Sequence, residues 1–163
     1  MKTASLLGGL LALLGLFTSA ESQACRAALE GVLTAQSPIH NALVEDDLAK
    51  ASEGAKVLVG LTKQWLTEHP TDANLENIQK IDKAATAIAT AEDLDIARGA
   101  FIQLSQGVIA IIRADKRLQD KWQLFFCPMV AKKQGFWVQP KGEDLANPYM
   151  GTQMPGCGSD KPW

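Results

Sequence analysis

The chain predicts a mainly α-helical fold: an up-and-down four-helix bundle with a small C-terminal β-hairpin and an irregular Cys/Met-rich tail. Three observations carry that expectation. Apolar residues between positions 26 and 118 recur at spacings of three and four. Acidic or Pro-containing breaks divide this run into segments of helical length. After Lys121 the pattern changes to short aromatic runs, followed by Gly and Pro punctuation.

Residues 1–24 read as an export signal, with cleavage after Ala20 or Ala24. Lys2 supplies the positive start, and Leu6 to Phe17 is an apolar run too short to span a bilayer comfortably. Thr18-Ser19-Ala20 and Ser22-Gln23-Ala24 offer small-residue cleavage sites. The mature chain is expected to be exported, periplasmic and without a transmembrane segment. Cleavage after Ala24 would place Cys25 at the new N-terminus, as in a lipid-anchored protein, but Ser22 and Gln23 disfavour that modification.

Residues 25–118 form the expected bundle. Leu29, Val32, Leu33, Gln36, Ile39 and Leu43 make the first stripe, interrupted at Ser37-Pro38, where Ser37 is positioned to cap a fresh start. Asp46-Asp47 then introduces a helix with Leu48, Ala51, Ala55, Leu58, Thr62 and Trp65 inward. His69-Pro70 ends it. Thr71 or Asp72 is the expected cap of a third helix, with Leu75, Ile78, Ile81, Ala85 and Ile88 inward. Glu92-Asp93 marks the next boundary, and Ala97, Phe101, Leu104, Val108 and Ile111 line the fourth helix. Short connections between amphipathic helices favour antiparallel neighbours.

Residues 119–163 are expected to pack on the bundle as part of one domain. Trp122 to Cys127 and Gly135 to Gln139 read as strands, with Lys132, Lys133 and Gln134 in the loop between them. Beyond Pro140, repeated Gly and Pro exclude long elements. Order there requires packing, a cross-link or a metal.

The tail concentrates sulfur. Cys127 and Met129 would share a face of an extended chain. Met150, Met154 and Cys157 are spaced so that one turn can align them. Soft donors of this kind select Cu(I) and similar ions, Ag(I) among them. Candidate ligands are Cys127, Met129, Met154 and Cys157, with Met150 as a spare. His40 and His69 are further candidates, although a hydrogen-bonded core position and a helix end are the plainer roles for them. Trp137 and Tyr149 would shield the site. The other reading of the same cysteines is a Cys127–Cys157 disulfide worth roughly 3–4 kcal/mol, with the methionines as packing material. Spacing leaves both open.

Several classes are disfavoured. The net charge of −2, with no clustered basic surface, argues against nucleic acid. No Cys-x-x-Cys pair occurs, which disfavours a zinc knuckle and a thioredoxin-like oxidoreductase. No Glu-x-x-His pair suggests a di-iron bundle. Ser105 and Arg98 lie on the fourth helix with no histidine placed to make a nucleophile. The acidic pairs read as helix caps. The chain is therefore expected not to be an enzyme.

Phe126-Cys127-Pro128-Met129, Gly135-Phe136-Trp137 and Asn147 through Gly158 together resemble the family named domain of unknown function 3347. Its members are exported bacterial domains associated with copper and silver efflux adaptor (membrane fusion) proteins. Arg98-Gly99-Ala100-Phe101-Ile102-Gln103-Leu104-Ser105 is similar to the family's Arg-x-x-Phe-x-x-Leu-Ser segment. The resemblance implies an exported helical domain that handles soft metal, by sequestration or by delivery to an efflux adaptor or other envelope protein. The alternative expectation is a disulfide-clamped interaction module of the envelope with no metal.

Overall fold

The computed structural model describes residues 23–130 and 134–163. Most of the expected export signal and Lys132-Lys133 of the expected hairpin loop lie outside the described residues.

Helix α1 runs over 23–34 and α2 over Ser37–Val44. Pro38 sits in the first turn of α2, where its missing N–H leaves no bond unmade, so a new helix starts there. Ser37 is not the cap. Gln36 occupies that position without a capping bond, and its amide donates instead to the Val138 carbonyl at 3.4 Å. Helix α3 spans Leu48–Glu68 and is capped by Asp47, which accepts from Lys50 N at 2.9 Å. Helix α4 covers Leu75–Ala89. Asp72 does not cap it either: its carboxylate accepts from Asn74 N at 2.7 Å, an Asx turn that delays the helix. Helix α5 runs from Leu94 to Ala114, with Asp93 accepting from Ile96 N at 2.8 Å. A short α6, Lys116–Gln119, restarts after Asp115.

The inward stripes become the core. Val32, Leu33, Ile39, Leu43, Leu58, Trp65, Ile78, Ile81, Ile88, Phe101, Leu104, Val108 and Ile111 are all buried. Each such side chain contributes about 1.5–3 kcal/mol on leaving water. Helix α4 packs against both α3 and α5, whereas α3 and α5 scarcely meet. Helix α5 is long and apolar enough to cross a membrane by composition, but Phe101, Leu104, Val108, Ile111 and Ile112 are committed to this core.

The sheet is larger than the expected hairpin. Strand β1, Trp122–Phe126, pairs antiparallel with β2, Phe136–Pro140, so that Phe125 faces Trp137. The end of the tail returns as β3, Ser159–Lys161, on the other side of β1, giving the order β2-β1-β3. The fold is thus mainly helical with a small three-stranded antiparallel sheet, and β2 docks on α5. A three-residue strand leaves almost no periodicity to read, which is why Gly and Pro signals dominated that segment.

The α4–α5 contact is close because Gly107 has no side chain. A Cβ there would sit 2.7 Å from Ile81 Cγ1 and 3.1 Å from the Asn77 carbonyl oxygen. Alanine raises helix propensity by about 1 kcal/mol, but overpacking a core costs about 1–3 kcal/mol. The fixed Asn77 backbone decides the sign. The Gly107→Ala variant is expected to lose up to about 2 kcal/mol in urea unfolding, where an exposed helical glycine would have gained stability.

Candidate functional site

The pairing of β3 with β1 brings the two cysteines together. Phe126 faces Ser159 in that register, so Cys127 is carried opposite Gly158 and lands beside Cys157. The two sulfurs lie 3.0 Å apart, although the residues are thirty positions apart, and either thiol can donate to the other. Both are free thiols, at a separation beyond the roughly 2.05 Å of a disulfide bond. Cys127 is 0 % exposed, whereas Cys157 is half-buried. The hydrogen bond to Cys127, with some burial, holds the Cys157 thiol above its ordinary pKa.

Close backbone approach makes this contact. Gly158 adopts φ 144°, and a Cβ there would lie 2.9 Å from the Trp137 ring and 3.1 Å from the Phe126 carbonyl oxygen. Across β1, Cys127 N donates to the Gly135 carbonyl at 2.9 Å. Trp137 is fully buried beneath the tail, stacked on Phe125 with centroids 5.5 Å apart and edge-on to Tyr149 at 5.9 Å. Burial pushes the Tyr149 phenol well above the usual range, and its O–H donates to the Phe136 carbonyl at 2.6 Å. The Trp137 ring thus lies against the backbone of Gly158, next to Cys157.

The methionines behave differently. The strand ends at Phe126 and the chain turns at Pro128-Met129, so Cys127 and Met129 do not share a face. Met129 is 63 % exposed and Met154 42 % exposed. Met150 packs partly buried against the core. A 3-10 turn, Gly151–Gln153, separates Met150 from Met154 and gives them different surroundings.

The histidines also fall apart. His40 is buried, with Nε2 2.9 Å from the Ala146 carbonyl oxygen and Nδ1 2.9 Å from Asn41 Oδ1. Desolvation lowers its pKa. His69 closes α3 and packs on Trp65 with ring centroids 5.1 Å apart. That is the far end of α3 from Asp46, about 30 Å along the helix. Cys25 is at the same far end, its thiol donating to Asp72 at 3.6 Å. Neither His69 nor Cys25 joins the thiol pair.

The residues that hold the tail were mostly not foreseen. Asn147 is buried, and its Oδ1 accepts from Tyr149 N at 2.8 Å and Met150 N at 3.1 Å. Its Nδ2 donates to the Cys157 carbonyl, and its own N–H donates to the Pro155 carbonyl at 2.8 Å. Gln139, also buried, accepts from Trp137 Nε1 and Ala146 N, each at 3.0 Å. Arg98 reaches from α5 to the Pro148 carbonyl at 3.0 Å, the Leu43 carbonyl at 2.9 Å and the Asp46 carboxylate. Asp46 is therefore no cap: it binds Arg98 and the Thr152 amide and hydroxyl, with its backbone at φ 59°. Those bonds lower its pKa, the one from the Thr152 hydroxyl most. One face of α5 meets the tail, because Phe101 packs on Tyr149 and Ser105 lies 3.3 Å from its hydroxyl. The Asn-Pro-Tyr run and a glutamine inside an apolar strand were the available signals.

A family model, DUF3347, described as a protein of unknown function, matches residues 32–120, more than half of the chain. The chain belongs to the DUF3347 family. The DUF3347 match covers the helices and stops before the sulfur-bearing tail. No curated protein and no solved structure matches the chain.

Gly151 lies against this Arg98–Asp46–Thr152 latch, at φ 51°, where a Cβ would overlap the Asp46 carboxylate and the Arg98 guanidinium. The Gly151→Ala variant is expected to lose about 2 kcal/mol or more and to expose the tail to limited proteolysis.

Two acid transitions are also expected. His40 titrates near 6.5 when unfolded and lower when folded, so the unfolded state takes up the proton first. Stability is therefore full above about 6.5 and declines as pH falls below it. Asp46, lowered from 3.8, adds a loss that begins only as pH falls through that value. Urea unfolding between pH 7.5 and 5 checks the first: His40→Gln should flatten the slope in that range.

Proposed function

We propose that this DUF3347 protein is a periplasmic carrier of a soft monovalent cation, Cu(I) or Ag(I). It holds the ion between Cys127 and Cys157, sequestering it or passing it to an efflux adaptor or another envelope protein. One observation carries the reading: two thiols from segments thirty residues apart meet at 3.0 Å in a tail anchored by bonds that involve neither sulfur. Two thiolates suit a soft ion that tolerates low coordination. With metal–sulfur bonds of about 2.3 Å, the sulfurs must separate to about 4 Å or slightly more. Cys157, the half-buried partner, has the room to swing outward. Exposed Met129 and Met154 serve as auxiliary thioethers at the entrance rather than as primary ligands. We also read the helical body as an up-and-down four-helix bundle, the rigid support for this tail.

A second reading has its own support. The full burial of Cys127 and the short sulfur separation favour closure into a disulfide, giving an interaction module with no metal.

Titration of the fully reduced protein with Ag(I) against a competing chelator separates the two. One equivalent is expected to bind, and Cys127→Ser/Cys157→Ser should weaken binding by at least a hundredfold. Met129→Leu/Met154→Leu should cost less than tenfold. Unchanged affinity in the double cysteine variant would remove the metal reading. Thiol counting on unreduced protein then reports the disulfide.

A further inference from the structure

We infer that Asn147 is the positioning residue of the Cys127/Cys157 pair: its side chain sets how readily the two sulfurs meet. The inference rests on reading these cysteines as one site, but not on a metal. Asn147 is fully buried and joins three stretches of the tail. Its Oδ1 collects the Tyr149 and Met150 amides at 2.8 and 3.1 Å. Its Nδ2 donates to the Cys157 carbonyl and so ties this side chain to the cysteine itself. Its backbone N–H fixes Pro155 at 2.8 Å.

The tether matters because the other restraints on Cys157 act from one side, through Gly158 and β3. Met154 is exposed before it, and its own N–H makes a local 3.1 Å bond to the Met154 carbonyl. Gly158, with its unusual φ, follows it before β3 begins. Cys127, by contrast, is locked by the Gly135 carbonyl and by burial. Motion that opens the pair is therefore motion of Cys157, and Asn147 opposes it. Asn147 in turn follows Ala146, whose carbonyl His40 holds and whose N–H Gln139 holds. The helical body thus transmits its rigidity to one of the two sulfurs.

The effect is read in thiol–disulfide exchange. The Cys127 and Cys157 thiols give up two hydrogens as one S–S bond forms, and glutathione disulfide is cleaved to two glutathione thiols. A preorganised pair has a high effective concentration and so favours the disulfide. Releasing the tether lowers that concentration and shifts the balance toward the dithiol.

The test equilibrates full-length mature protein in glutathione buffers, then alkylates free thiols and counts them by mass. Asn147→Ala and the isosteric Asn147→Asp, which lacks the donor to Cys157, are compared with wild type. Gly107→Ala is the control that destabilises the fold away from the tail, at the α4–α5 contact, and melting curves are recorded for all. Both Asn147 variants are expected to lower the disulfide-to-dithiol ratio by about tenfold, about 30 mV. The control should stay within twofold despite a lower melting temperature. A ratio within twofold of wild type in the Asn147 variants overturns the inference. So does an equal shift in Gly107→Ala, which would assign the effect to general loosening. If one Asn147 variant does not fold, the other decides. If neither folds, Asn147 belongs to the fold alone, and the inference also fails. No metal enters this measurement, so a wild type that fails to bind Ag(I) removes the carrier reading without touching this one.

Discussion

The register of β3 on β1 is the constraint from which the candidate site follows. Because Phe126 faces Ser159, the cysteine just after β1 and the cysteine just before β3 are delivered to the same place. A strand slips by one residue only by turning its side chains to the opposite face. Here the slip would also drive Gly158 out of its close contact with Trp137. The short strand could not set this register alone. Asn147, Gln139 and the Arg98–Asp46–Thr152 latch fold the intervening loop so that the strand arrives in place.

The helices were largely legible because burial repeats along them. Ile78, Ile81, Ala85 and Ile88 recur at helical spacing, and Asp47 and Asp93 cap as polar residues do at helix starts. What escaped were choices between equivalent short-range partners. Asp72 and Ser37 are plausible caps by type, but Asp72 is engaged by Asn74, and Gln36 is drawn to β2. Asp46 stood beside a true cap and resembled one, yet its partners lie on α5 and in the tail. Nothing local encodes a partner fifty residues away.

The same distinction runs through the sulfur tail. The expectation that distant cysteines meet was readable, since Cys157 lies in a segment too rich in Gly and Pro to order itself and Cys127 ends the expected strand it can dock on. The methionines lie in different environments, because a turn at Pro128-Met129 and the 3-10 turn interrupt the spacing that would align them. Side-chain spacing predicts a shared face only while the backbone period holds. The family match adds a complementary fact: the helical scaffold, rather than the tail, is what the family model covers.

The third strand has a consequence for the solution behaviour of the sheet. Without it, β1 would present an open ladder of donors and acceptors along a run of Trp, Leu and Phe, a template for intermolecular pairing. Ser159–Lys161 occupies that margin with a brief, polar cover that ends at Pro162, which has no N–H to offer a newcomer. The segment that brings the thiols together thereby also closes that edge of β1 to a pairing newcomer.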